Sequence, residues 1–340
     1  MKTLKYILFL LLIAIIGLAI YIAVQPNEFN FSRSKVIKAP TPMVFNKVND
    51  FKNWPDFSPW IEQEPNATLT YGDKTSGVDG NYAWKGEVLG EGNMKTTALE
   101  KDKSISQHIS FIKPFESESD INWTFENTLE GTKVTWGMKG KQDFMTKMYT
   151  TFAGSIEENT APDFERGLFK LDSIIDTDMK KYSIAVDGIK EYGGGFYLYK
   201  TTNANSTNIS SKMGQQFGTI MSYIAQNNIQ MAGMPLTVYN EMNNENGSII
   251  MSNGIPVTEK IILPSGSEIS CGYIPKTKSL KTTLLGNYTY LPKAWEKTMA
   301  YLGENNLEAS DIKPFEIYTT DPGEVPNPAD WRTEIYVPVK

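Results

Sequence analysis

Residues 286–340 read GNYTYLPKAWEKTMAYLGENNLEASDIKPFEIYTTDPGEVPNPADWRTEIYVPVK. Leu291, Ala294, Trp295, Thr298, Met299 and Leu302 recur at helical spacing. Pro292 suits the first turn of that helix, where its missing N–H costs nothing. Asn305-Asn306 marks the helix end. A strand is expected at Phe315 to Thr319, then a Pro/Gly/Asp-rich loop, then a strand from Arg332 to Val339. The unit is helix, strand, loop, strand.

The same unit occurs earlier in the chain. Tyr223-Ile224-Ala225-Gln226-Asn227-Asn228-Ile229 echoes Tyr301-Leu302-Gly303-Glu304-Asn305-Asn306-Leu307. Pro235 precedes Tyr239 as Pro314 precedes Tyr318, and Ile255-Pro256-Val257 echoes Val337-Pro338-Val339. The offset drifts from 78 to 82, as expected when loops vary and elements do not. A duplicated strand–helix–strand–strand module follows from this order. The first copy begins at Phe196 to Thr202, and its helix carries the apolar face Met213, Phe217, Ile220, Met221 and Ile224.

On Gly286-Asn287-Tyr288, the Trp295 helix, Pro314-Phe315-Glu316-Ile317-Tyr318 and Trp331 to Val339, residues 188–340 resemble the GyrI-like domain. That domain also serves as the effector-binding half of AraC-type and MerR-type regulators. The resemblance implies two pseudo-symmetric modules in one sheet with helices behind it. It also implies a small, apolar or cationic guest on the front of the sheet. In the last strand Thr333, Ile335, Val337 and Val339 suit the helix side, so Arg332, Glu334 and Tyr336 share the other. The family has a recurrent acid in this strand, and Glu334 matches it. The expected ligand site is Glu334 with Tyr336, Tyr318, Tyr239, Tyr273 and Tyr197, and Tyr199 is nearby. An acid among tyrosines suits a cation through charge and cation–π attraction. The plainer alternative is a solvated Glu334 paired with Arg332.

Residues 28–182 form the other expected domain. Phe29 to Ala39 alternates like a strand, and Thr41 is placed to cap a helix lined by Val44, Phe45 and Val48. Six further strands follow, at about Ala67–Tyr71, Asn81–Glu87, Asn93–Glu100, Ser104–Ile112, Asp120–Glu126 and Lys133–Lys139. Two helical stripes close the region: Phe144, Met148, Phe152, Ile156, and then Phe164, Leu168, Leu171, Ile175. Lys38-Ala39-Pro40 before Val44-Phe45, the aromatic Asp50 to Trp60 segment, Trp84-Lys85-Gly86 and Gly131 to Trp136 make this region similar to the START-like (SRPBCC, polyketide-cyclase-like) superfamily. The resemblance implies a curved antiparallel sheet gripping a long C-terminal helix. It also implies an apolar cavity between them, which Met138, Met145, Met148, Phe115 and Trp123 would line. The alternative for each is plain core. Asp187-Gly188 and Gly193-Gly194-Gly195 read as a linker and turn between the domains. The whole is an α+β chain.

Tyr6 to Val24 is an uncharged apolar run of 19 residues behind Lys2 and Lys5. As a helix it spans roughly 28 Å, close to hydrocarbon thickness. Residues 1–26 are therefore expected to be a transmembrane signal anchor crossing at residues 6–24, with the N-terminus cytoplasmic and the domains outside. Its length favours this over a cleaved signal peptide. Cys271 is the single cysteine and His108 the single histidine, which excludes an intrachain disulfide and a His-rich zinc site. The net charge is −6 with no long basic run, so nucleic acid is not an expected partner. No cofactor or metal is implied. The leading expectation is a membrane-anchored, non-catalytic binder of a hydrophobic or amphipathic cationic molecule. The alternatives are a hydrolase or cyclase using Glu334 as general base, and an interaction module with no ligand.

Overall fold

The computed structural model describes residues 2–243 and 247–340. The chain divides into two compact units, Met1–Thr177 and Asp178–Lys340.

The first unit opens with helix α1 (Lys2–Ala23), whose side chains are exposed almost throughout. Within it Thr3–Ala23 is long and apolar enough to cross a membrane. Then come β1 (Glu28–Ile37), α2 (Thr41–Asn49), the short turns α3 (Trp54–Phe57) and α4 (Pro59–Gln63), and six strands. These are β2 (Thr68–Tyr71), β3 (Asn81–Lys85), β4 (Glu91–Glu100), β5 (Ser104–Lys113), β6 (Ser117–Thr128) and β7 (Gly131–Lys141). Helices α5 (Phe144–Ala153) and α6 (Ile156–Met179) close the unit. The antiparallel sheet runs β1-β7-β6-β5-β4-β3-β2, a meander closed by the return of β1 beside β7. Thr41 begins α2 rather than capping it, and its hydroxyl meets Thr132 Oγ1 at 3.0 Å.

The grip is aromatic. Trp136 of β7 lies flat between Phe164 of α6, with ring centroids 4.1 Å apart, and Trp123 of β6 at 4.4 Å. Trp54 meets both tryptophans edge-on and donates its N–H to Val48 O. Gly167 permits this approach, since a Cβ there would come within 2.6 Å of the Trp136 ring. Stacked rings therefore pack the interior between α6 and the β6–β7 part of the sheet. Trp123 and Met138 are buried in that interior, as expected of a lining or core position. Met145 and Phe115 are not, and both are strongly exposed. Phe115 sits in the turn between β5 and β6. Met145 lies on the side of α5 opposite the buried Lys147.

The second unit contains β8 (Ser183–Tyr192), β9 (Gly195–Ala204), α7 (Ile209–Gln226), β10 (Leu236–Asn243), β11 (Ser248–Val257), β12 (Ser270–Ile274), β13 (Thr277–Leu285), α8 (Leu291–Glu304), β14 (Phe315–Tyr318) and β15 (Arg332–Pro338). They form one sheet in the order β12-β9-β11-β10-β14-β15-β13-β8. Its centre is symmetric: β9-β11-β10 from the first copy mirrors β13-β15-β14 from the second. The two helices end alike. Asn228 and Asn306 are left-handed, at φ 50° and 51°, and Ile229 and Leu307 each donate an N–H to the carbonyl five residues earlier, of Ile224 and Leu302. The copies meet at β10 and β14, where Tyr239 N–H bonds Pro314 O and Tyr318 N–H bonds Pro235 O, both at 2.9 Å. Asp187-Gly188 is not a linker. It lies inside β8, where Gly188 at φ 78° makes a bulge against Lys281 and Thr282.

Trp136→Ala should destabilise the first unit by about 3–5 kcal/mol, because the flanking rings cannot close the gap. Denaturant unfolding followed by near-UV circular dichroism measures it.

Candidate functional site

Strand parity sorts the polar and aromatic side chains of the second unit onto two faces. Cross-strand partners share a face. Tyr336 pairs with Phe315 and Glu334 with Ile317, whereas Tyr318 pairs with Thr333 and Thr237 with Glu316. Ile335 and Val337 pack under α8 with Leu280, Leu284 and Ala294. Phe315, Tyr336, Tyr197, Leu236 and Val238 pack together on the face away from the helices.

Glu334 lies on that outer face, as the alternation predicted, with Tyr336 and Tyr197. Its Oε1 is 2.8 Å from both Lys281 Nζ and Arg332 Nη2, and the Tyr336 hydroxyl donates to Oε2 at 2.7 Å. Partial burial opposes ionisation, but the Lys281 and Tyr336 hydrogen bonds and the two cations hold the carboxyl below its usual range. A general base at Glu334 would need the opposite shift. This acid is already neutralised by its neighbours. Beside it Lys281, Arg332, Lys190 and Glu191 line an open hollow of about 410 Å³. Further along the face Tyr192, Tyr197, Leu236, Ile274 and Ile317 line an apolar hollow of about 260 Å³. Burial raises the Tyr197 hydroxyl to about 12.

Three of the six expected site residues are elsewhere. Tyr239 and Tyr318 are buried on the helix side, on the opposite face from Glu334. Tyr273 is exposed, with its ring against Phe196, and its neighbour Gly272 is the residue that meets Tyr197. Equivalent places in two repeats gave Tyr239 and Tyr318 a common face, but not the face of Glu334. The register of β14 against β15 decides that.

What Tyr239 and Tyr318 surround is a second acid, Glu316, which is 0% exposed. Trp295 Nε1 donates to its Oε1 at 2.5 Å and Tyr318 OH to its Oε2 at 2.7 Å. Tyr239 supplies a further hydrogen bond, and its ring stands edge-on to Trp295 at 5.4 Å. The Tyr318 hydroxyl is also 3.1 Å from Thr237 Oγ1, which donates to Asn253 Oδ1 at 2.7 Å. Asn253 Nδ2 continues the line to Gln216 Oε1 on α7 at 2.6 Å. Among the described residues no lysine or arginine acts on Glu316. Desolvation therefore prevails over the three aromatic donors and raises its pKa. Tyr288 and Phe217, both half-buried, stand edge-on to Tyr318 with ring centroids 5.6 and 6.1 Å from its own. Sequence reading passed over Glu316 although it sat inside the quoted Phe315-Glu316-Ile317-Tyr318 run. An acid alternating with apolar residues in so short a strand was the available signal.

Residues 196–340 match the family described as the GyrI-like small molecule binding domain, and residues 37–169 match polyketide cyclase / dehydrase and lipid transport. The chain joins a polyketide-cyclase-type domain to a GyrI-like domain. Both belong to families that bind small molecules. Among solved structures, the EcmrR C-terminal domain is 19% identical, with a TM-score of 0.39 over 47% of this chain and 98% of that one. A protein from Mesorhizobium loti is 14% identical, with a TM-score of 0.33 over 44% and 98%. A protein of unknown function from Staphylococcus aureus is 14% identical, with a TM-score of 0.36 over 45% and 97%. No curated protein matches the chain.

The GyrI-like domain should carry a pH signature of Glu316. Its folded pKa lies above the ordinary 4.5, so the folded chain holds a proton that the unfolded chain releases. Stability then falls as pH rises from that value to the folded pKa, and is level above it. Glu316→Gln cannot titrate. Its melting temperature relative to the parent should climb across the same window, as scanning calorimetry at stepped pH will read.

Proposed function

We propose that the GyrI-like domain holds a small lipophilic cation against Glu316. The observation that carries this reading is a fully buried carboxylate with aromatic hydrogen-bond donors and, among the described residues, no cationic partner. Unpaired, such a group disfavours its own charge. A cationic guest would supply the missing countercharge, and the faces of Trp295, Tyr239 and Tyr288 would add cation–π attraction. The half-buried rings of Tyr288 and Phe217 are the ones a guest would displace on entry. Glu334 is the weaker candidate, since Lys281 and Arg332 already occupy it. The reading is put on the C-terminal half because Glu316 lies there, while the rings of Trp123, Trp136 and Phe164 are stacked on one another in the other domain. We further propose that α1 is retained as a single membrane span, with the N-terminus cytoplasmic and both domains on the other side. Its length and the preceding lysines support this.

Full-length protein in nanodiscs should be stabilised by quaternary phosphonium or ammonium compounds carrying aromatic groups, and not by neutral isosteres. Glu316→Gln should keep the fold and lose about 2–5 kcal/mol of that binding. Affinity should also fall as the pH is lowered through the raised Glu316 pKa, because the protonated acid offers no charge. Equal binding of charged and neutral isosteres by calorimetry sinks the proposal. Separately, membranes washed at alkaline pH should retain a chain whose mass includes Met1 to Val24.

A further inference from the structure

Phe144, Met148 and Phe152 form one helical stripe in the sequence. In the fold Phe144 and Phe152 face outward and Met148 is half-buried. Phe144, Met145, Tyr149 and Phe152 are exposed by 48%, 60%, 63% and 71%, and together they make one continuous face of the helix. The opposite face carries Lys147, which is 5% exposed. An amphipathic helix normally turns its apolar face to the core and its lysine to water. Here the order is reversed, and an apolar face turned outward needs a cover.

The position of α5 says what that cover is. Lys147 Nζ donates to Ala23 O at 3.2 Å and to Asn27 Oδ1 at 2.5 Å. Gln142 N–H donates to Asn27 O at 2.7 Å. These acceptors are the last turn of α1 and the residues directly after it. The lysine thus caps the carbonyl end of α1, where a cation is favoured. Thr3–Ala23 has 21 residues, and a helix of that length spans roughly 32 Å, about the thickness of a hydrocarbon core. Its C-terminal end therefore sits at the lipid–water boundary. Since α5 is fastened to that end, it sits at the same depth.

We propose that α5 lies in the outer lipid–water boundary beside the end of α1, with Phe144, Met145, Tyr149 and Phe152 set among headgroups and upper acyl chains. This rests on the reading of α1 as a membrane span. The chemistry fits: phenylalanine and methionine bury apolar area, and tyrosine presents a ring to lipid and a hydroxyl to water. The span and α5 then form a two-point attachment that fixes how the first unit stands on the bilayer.

The test uses the full chain in phosphatidylcholine–phosphatidylglycerol vesicles, with Cys271→Ser as background. An environment-sensitive fluorophore is placed at Phe144→Cys, Tyr149→Cys or Phe152→Cys, exposed sites where the fold does not depend on the native side chain. Ile13→Cys, near the middle of α1, reports the span through quenching by acyl-chain nitroxide lipids. Leu129→Cys, in the exposed turn between β6 and β7, reports open water. The expected result is quenching at residues 144, 149 and 152 by headgroup-region nitroxide lipids, and iodide quenching several-fold weaker than at 129. Iodide quenching at 152 equal to that at 129 overturns the proposal. So does protection from both quenchers, which would mean that protein, such as a second copy, covers the face. If Ile13 gives the lipid signal while 152 does not, only the α5 inference fails. If Ile13 also lacks it, the span reading fails with it.

Discussion

Burying Glu316 takes a carboxylate out of water and leaves both its oxygens to be satisfied by side chains. Much of the second unit is arranged around that requirement. Trp295 from α8 reaches one oxygen, and Tyr318 from the acid's own strand reaches the other. Tyr239 comes from the neighbouring copy. Behind Tyr318, Thr237, Asn253 and Gln216 extend the polar contacts to α7, so both helices are tied to the acid through the sheet. Removing one member would leave others buried without partners, which costs more than the bond itself gains. The members of the network are therefore energetically coupled.

The comparison with Glu334 shows what environment does to one residue type. The two acids stand on adjacent strands of the same sheet and face opposite sides. Glu334 has Lys281 and Arg332 within ion-pair distance and is held low. Glu316 has aromatic donors alone and is pushed high. An acid whose charge is already matched offers a guest little. An acid whose charge is discouraged gains when a cation arrives. The distinction rests on which face a strand residue occupies.

That is also where the sequence stopped being legible. Helical periodicity, the asparagine helix ends and the alternation of β15 were readable, because each is set within a few neighbouring residues. The duplication was readable because the echoes kept their order. Strand register is a long-range property: nothing local to Phe315–Tyr318 states that Tyr318 opposes Thr333 and not Glu334. With the register unknown, tyrosines from two faces were gathered into one site and Glu316 was passed over. The first unit shows the same limit. The α5 stripe has a core-like period, but only the tertiary fold reveals that Lys147 faces inward and the aromatics outward. The glycine at 167, which lets Trp136 close the interior, carries no local sign of its role either.

One consequence comes from the junction of the two copies. Thr237 in the first stands where Glu316 stands in the second, and the two are direct partners across β10 and β14. A faithful doubling would have set two carboxylates face to face in a dry interior, each repelling the other. With a hydroxyl in place of one of them, the Thr237–Glu316 pair holds one acid instead of two, and the symmetry of the two copies is broken at its very centre.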